Sequence, residues 1–254
     1  MNRDSVEAWL KEYGVENYTI NEDLSVDVDG DLQLTKKGTG LTSLKGCPEY
    51  IGGDFDCSSN AIISMEYCPK WVGKKFSCCY NRIISLNGCP EYVGGNFDCS
   101  FNSLVNLEGV AAKVGGGIEC DNNDLTTLVG SPEVIVGGFN CGNNLLQNLV
   151  GGPRIVGDSF SCYDNKLTSL EGCPDRIVGS FYCGGGNLTT LEDCPNYIGG
   201  DFSFYDNKLI ESEIFLYGSS FSLVKQYYES KNLSLQLNGD LVNVKEVLST
   251  KKKI

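Results

Sequence analysis

Residues Gly53 to Asn60 read GDFDCSSN, and how that stretch is read decides the fold. In isolation it suggests cysteine chemistry, with the carboxylates of Asp54 and Asp56 beside Cys57. The surrounding chain removes that impression. KFSCCYN follows at 75–81, NFDCSFN at 96–102 and GIECDNN at 117–123, in step with one another at intervals of 21 residues. Leu44, Met65, Leu86, Leu107, Leu128, Leu149, Leu170 and Leu191 keep the same interval without an insertion or deletion. Phe55, Phe76, Phe97, Ile118, Phe139, Phe160, Phe181 and Phe202 form a second column, and Ile51, Val72, Val93, Val114, Ile135, Val156, Ile177 and Ile198 a third. A fixed period of this length means a stack of one supersecondary unit.

The physics of the unit follows from alternation. In G-x-F-x-C the Phe and Cys lie two apart and face one side of a strand, while the spacers face the other. One unit alone cannot bury its apolar side, and stacking about eight at ~4.8 Å gives a parallel sheet roughly 38 Å long. Each Phe buries on the order of 150–250 Å², so that column is the main stabilising feature. Asn60, Asn81, Asn102, Asn123, Asn144, Asn165 and Asn207 recur where the strand bends, where an amide side chain replaces backbone bonds lost at the corner. Gly186 interrupts this column, which predicts a loosening or a bulge there. The stretch G-C-P-x-x-V-G-G must return along the outside. Proline fixes φ and glycine permits positive φ, so an extended path or short 3-10 turn is expected over a full helix, giving a mostly irregular or 3-10 return.

Written from its strand, the unit is F-x-C-x-x-N-x-L-x-x-L-x-G-C-P-x-x-V-G-G-x. It resembles the leucine-rich repeat L-x-L-x-x-N-x-L with Phe and Cys in the first two apolar slots, over about residues 32–209. Together with the entry segment WLKEYGVENYTINEDLSVDVDGDLQL, the chain looks like the leucine-rich-repeat proteins encoded by tailed bacteriophages. Its repeat is also similar in length to those of bacterial secreted effectors. Those effectors carry a separate ubiquitin-ligase domain, and only about 45 residues follow the last repeat here, so that activity is not carried over. The resemblance implies a leucine-rich-repeat solenoid of the α/β superfamily type, with its parallel sheet on a concave face, working in a bacterial host cytoplasm.

A single elongated domain over 1–254 is expected, with small α/β caps because an open solenoid exposes edge strand and core. The first cap, 1–31, reads as a helix with Asp4 and Glu7 as a capping box and Val6, Trp9, Leu10 and Tyr13 on one face, then a hairpin around Asp29-Gly30. The repeats occupy 32–210. The second cap, 211–254, reads as a helix from Ser219 or Ser220 to about Ser230 with Phe221, Val224 and Tyr228 inward, a hairpin at Asn238-Gly239 and a short helix carrying Val244, Val247 and Leu248.

Composition narrows the chemistry. The chain has no histidine, which removes Ser-His-Asp and Cys-His catalysis. A net charge of −13 argues against a nucleic-acid backbone binder, which needs clustered Lys and Arg. No apolar run approaches the ~20 residues of a membrane span, and the start MNRDSVEAWLKEYG lacks the pattern of a signal peptide. The chain therefore reads as soluble and cytoplasmic, with reduced cysteines. Seven of these, Cys57, Cys78, Cys99, Cys120, Cys141, Cys162 and Cys183, share the strand column, while Cys47, Cys68, Cys89, Cys173 and Cys194 precede proline. Stacked copies have parallel Cβ vectors unsuited to a disulfide, so the thiols read as small core hydrophobes. A column also spreads its ligands along a line, which suits no zinc site, and no cofactor or metal is expected.

What remains informative is the spacer set. Asp54, Asp56, Tyr80, Asp98, Phe101, Glu119, Asp121, Tyr163, Asp164, Tyr182, Asp201, Tyr205 and Asp206 are the candidate partner-binding residues of the concave face. Tyrosines on a rigid acidic sheet are the composition of a protein-binding surface. The expected function is non-enzymatic capture of a protein or peptide with a basic surface, directed at a host or defence protein. A structural role in the virion or its assembly is the alternative.

Overall fold

The computed structural model describes residues 2–34, 40–209 and 221–231. The chain divides into two compact units, Met1–Ile210 and Glu211–Ile254. The second is described through its helix at 221–231, where Val224 and Tyr228 are buried and Phe221 is partly exposed. Its expected cap residues Ser219 and Ser220, the later hairpin and the last helix lie outside the described residues. Among the described residues no helix is long and apolar enough to cross a membrane.

The first unit opens with a helix, Arg3–Glu12. Its N-cap is Asn2, whose Oδ1 accepts from the Ser5 N–H at 2.9 Å, and not Asp4. With the cap at Asn2 the position three residues on is Ser5, so Glu7 falls outside a capping box and instead pairs with Arg3 at 3.1 Å. Val6 and Leu10 are the buried residues, and Gly14, at φ +61°, follows the helix end. A hairpin comes next, but its turn is Asn21–Ser25, between the antiparallel strands Tyr18–Ile20 and Val26–Val28. Asp29-Gly30 is instead the first corner of the solenoid. Val28 pairs with Ile51 and Leu32 with Phe55, so this dipeptide occupies the place that Gly52-Gly53 holds in the next turn.

From there the chain is a parallel-strand β-solenoid of about eight turns. One face is a continuous nine-stranded sheet that runs from Leu32–Gln33 through Phe55–Asp56 to Phe202–Ser203. The return path is mostly turn and irregular, as expected, and its short extended part pairs into a second parallel ladder, so that only the 3-10 alternative is corrected. Two-residue strands such as Tyr50–Ile51, Trp71–Val72 and Tyr197–Ile198 pair with their copies, and no 3-10 turn is present among the described residues. The reason is register. Any extended segment repeated at strand spacing lies beside its own copy, so its N–H and C=O groups are satisfied without a local turn.

The second ladder is split. It runs as one sheet to Lys113–Val114 and resumes as another at Val134–Ile135, with no pairing between them. The turn before the split is the most altered one: Val110-Ala111-Ala112 replaces Cys-Pro-x, and Ile118 replaces phenylalanine.

The core between the faces is a stack of rings. Phe55 and Phe76 lie 5.7 Å apart, Phe76 and Phe97 5.1 Å, and Phe139, Phe160, Phe181 and Phe202 follow at 5.3–5.4 Å. Full burial of each ring is worth about 1.5–3 kcal/mol, with about 0.5–1.5 kcal/mol more from stacking. All thirteen thiols are free, and the seven of the strand column are fully buried. Those at Cys99 and Cys120 lie 3.4 and 3.2 Å from carbonyl oxygens of the following turn. Burial holds these thiols well above their ordinary pKa, so they pack as hydrophobes and are poor nucleophiles.

Candidate functional site

The sequence-derived candidates fall into four parallel columns on the nine-stranded sheet. Asp54 and Asp201 stand before the strand, Asp56, Asp98, Glu119 and Tyr182 on it, and Asp121, Tyr163 and Tyr205 two residues further. Tyr80, Phe101, Asp164 and Asp206 occupy the turn that leaves it. The columns differ in what they leave free.

Asp54 is a corner clamp. Its Oδ1 accepts from the Lys75 N–H at 2.9 Å, as Asp31 accepts from the Asp54 N–H. Asp56 and Asp98 each turn one oxygen onto the backbone N–H two residues on, and Asp98 also accepts from the Ser100 hydroxyl at 2.7 Å. The Lys75 ammonium lies 3.7 Å from Asp98. Glu119, Asp121 and Asp98 are near neighbours. Partial burial raises the Glu119 pKa, the Asn140 side chain opposes the rise, and the Asp121 and Asp98 carboxylates add to it. Tyr163 belongs to the same group: burial raises its pKa first, then the carboxylates of Asp121 and Asp164. Its ring crosses the preceding turn at Gly142, where an added Cβ would come within 2.6 Å of it. Tyr205 likewise lies beside Gly184. These glycines make room for rings and were missed in the sequence, though the spacer column shows them as Gly142, Tyr163, Gly184 and Tyr205 in alternation.

The turn column is held differently. Ser59, Tyr80, Phe101, Asn122, Asn143, Asp164 and Asp206 all have φ between +50° and +55°. Asn and Asp tolerate this left-handed region, but a bulky aromatic there is uncommon and costs on the order of 1 kcal/mol or more. Tyr80 and Phe101 are nevertheless both exposed, and their rings stack at 4.2 Å with 9° between planes. The Phe101 N–H donates to the Asp121 carbonyl at 3.0 Å, and Asp98 stands three residues before Phe101 on the same turn. The C-terminal candidates Asp164, Tyr182, Asp201, Tyr205 and Asp206 lie further along the same face and are exposed.

Behind this turn stands the asparagine ladder. Asn144 Oδ1 accepts from the Leu125 N–H at 2.9 Å, and its Nδ2 donates to the carbonyls of Cys120, Cys141 and Gly142 at 3.0–3.1 Å. Each such side chain ties its own turn to the one before. At Gly186 the bulge does not form: Phe181 stays paired with both Phe160 and Phe202, and Gly185 takes up φ +70°. The loss is confined to one donor, the Leu167 N–H, which has no partner among the described residues. The backbone bonds on either side hold the register without it.

No protein-family model matches this sequence, and no curated protein matches it either. The site must therefore be read from its own chemistry. Cys79 borders the acidic group with its sulfur 3.3 Å from the Ser77 hydroxyl, but burial raises its pKa and the Asp98 and Asp56 carboxylates add to that. Among the described residues no group of three or more Cys, Asp and Glu is arranged to hold a metal. On the other face Tyr50, Trp71 and Tyr92 stack on one another at 6.3 and 3.7 Å, and the Arg176 guanidinium covers Tyr197 at 3.9 Å. Tyr50, Trp71 and Tyr197 are exposed on that face as well.

Proposed function

We propose that the chain is a leucine-rich-repeat solenoid that works by binding, without catalysis, and that it captures a protein or peptide with a basic surface on its nine-stranded face. The stacked pair Tyr80–Phe101 carries this reading. Two exposed aromatic rings are held at φ +52° and +53°, where Ser, Asn, Asp or Gly stands in the other turns, and fold stability alone favours Asn, Asp or Gly there. Asp98 and Asp121 beside the pair and the Glu119 carboxyl supply charge complementary to Lys or Arg, and an arginine can stack on the outer ring face. In this reading, which follows the phage-like resemblance, the chain works in a bacterial host cytoplasm and its target is a host or defence protein.

Tyr80→Asn with Phe101→Asn tests it, because Asn occupies this column at Asn122 and Asn143. Affinity capture from bacterial lysate is expected to retain a basic-surfaced protein on the parent chain and to lose it at least tenfold on the double variant, while the unfolding midpoint stays level or rises. Capture that is unchanged by the double substitution overturns the proposal.

A further inference from the structure

A second feature of the solenoid lies at the corner between its two faces. In most turns the residue before the strand sends a side-chain oxygen to the N–H of the next turn: Asn96 to Gly117 at 2.9 Å, Ser159 to Ser180 at 3.1 Å, Ser180 to Asp201 at 3.0 Å. Lys75 supplies none, which leaves the Asn96 N–H without a partner among the described residues, and Gly117 and Gly138 supply none on two consecutive turns. The N–H groups of Gly138 and Ser159 consequently have no partner among the described residues. The split of the second ladder falls at the same place. Val136 N–H, whose counterpart Gly157 donates to Ile135 at 2.8 Å, is likewise without one. These groups line a cleft of about 530 Å³ whose walls include Glu119, Asp158 and Tyr182. Its volume lies within the range of about 300–1,000 Å³ usual for ligand sites.

We propose that this cleft receives the main chain of an extended peptide bearing a lysine or arginine. Main-chain carbonyl oxygens take the N–H donors of Val136, Gly138 and Ser159, which in other turns go to a backbone carbonyl in the first case and to a side-chain oxygen in the other two, and the basic side chain lies against Glu119 and Asp158. The lining decides between ligand classes. Backbone donors call for oxygen acceptors, yet the only charged side chains of the wall are two carboxylates, which repel a phosphate or an acidic peptide. Donors on successive turns are separated by roughly one 4.8 Å strand spacing, which a peptide chain spans and a single tetrahedral anion does not. This inference rests on the binding reading above and gives its partner a main-chain anchor.

The test is an amide NMR titration of the full chain with N-acetyl-Gly-Arg-Gly-amide, beside the Glu analogue, maltose and inorganic phosphate. The arginine tripeptide is expected to move the Val136, Gly138 and Ser159 amide signals, and the other three probes to leave them in place. Gly138→Ser supplies the missing oxygen, and its Cβ meets only the Ser159 carbonyl at 3.2 Å, so it is expected to fold and to weaken the tripeptide at least tenfold. Glu119→Gln, a half-exposed change, is expected to weaken it severalfold and decides the matter if Gly138→Ser misfolds. Shifts at these amides with maltose, phosphate or the Glu tripeptide, or undiminished binding to the variants, overturn the proposal. Shifts confined to Phe101 and Tyr163 overturn the cleft and leave the binding face standing. No shift at either place overturns both.

Discussion

The two faces of the solenoid are built from the same period, yet one is continuous and the other is split. The nine-stranded face is closed at its far corner by asparagines that each make four hydrogen bonds, three of them around a single buried amide nitrogen. It survives the loss of one such residue at Gly186 without a change of register. The return face has no equivalent inside its ladder. Its neighbouring corner depends on single acceptors, and the ladder parts between the turns of Gly117 and Gly138, beside the altered turn of Ala111 and Ala112, while it stays paired where Lys75 and Gly138 likewise offer no oxygen. Ion pairs between turns, such as Lys70–Glu49 at 2.7 Å and Arg154–Glu133 at 3.0 Å, stand on that face, but they are exposed and screened by solvent, so they add little. Redundant, buried hydrogen bonds set continuity here; charge does not.

The largest effect expected from this contrast comes from removing one clamp on each corner. Asn144→Ala leaves the buried Leu125 N–H and neighbouring carbonyls unmatched and is expected to cost about 3 kcal/mol, whereas Ser180→Ala removes one half-exposed acceptor and costs about 0.5 kcal/mol. Urea unfolding of both variants measures the difference, and equal losses would break the comparison. A smaller effect of opposite sign is expected from Gly186→Asn. The new amide reaches the Leu167 N–H and stabilises by about 1 kcal/mol, provided that Asn207 Oδ1, 2.8 Å from the added Cβ, yields. A lower unfolding midpoint would show that the gap is filled by strain elsewhere.

The smallest effect concerns the carboxylate beside the split. Because the Glu119 pKa is raised in the fold, the folded state binds this proton more tightly than the unfolded chain does. Its contribution to stability is full below the ordinary carboxylate pKa of about 4.3 and is lost as pH rises through the higher folded value. Glu119→Gln should therefore raise the urea midpoint slightly at pH 7 and leave it unchanged near pH 3.5. A midpoint that falls at pH 7 would mean that Lys75 outweighs Asp121 and Asp98 at this position.

Much of this was legible in the residues. Phe55, Cys57 and Asn60 recur at 21-residue intervals, and alternation alone sends the first two inward and the spacers outward, so the nine-stranded face and the burial of its thiols follow from the pattern. The Asn2 cap was hidden because Asp4 and Glu7 mimic a capping box, and only the bond from the Ser5 N–H to Asn2 shows that the helix begins two residues earlier. The hairpin turn was misplaced to Asp29-Gly30 because that dipeptide is a turn signal in either role. Its role is fixed by Val28 lying beside Ile51, a contact across 23 residues. Among the candidate site residues, the sequence could place Tyr80 and Phe101 in one column, but neither their stacking nor their positive φ is written in residue type.

The sequence by itself determined the period, the inward columns and the acidic, aromatic character of the outward ones, because a strict repeat forces every copy into the same environment. Only the tertiary structure decided that the extended part of the return path pairs into a second parallel ladder, that it parts between Val114 and Val134, and that free backbone donors gather beside Glu119 there. Those features depend on whether a backbone group in one turn meets an oxygen from the turn before. That meeting is set by the distance between successive turns, which the order of residues along either one does not contain.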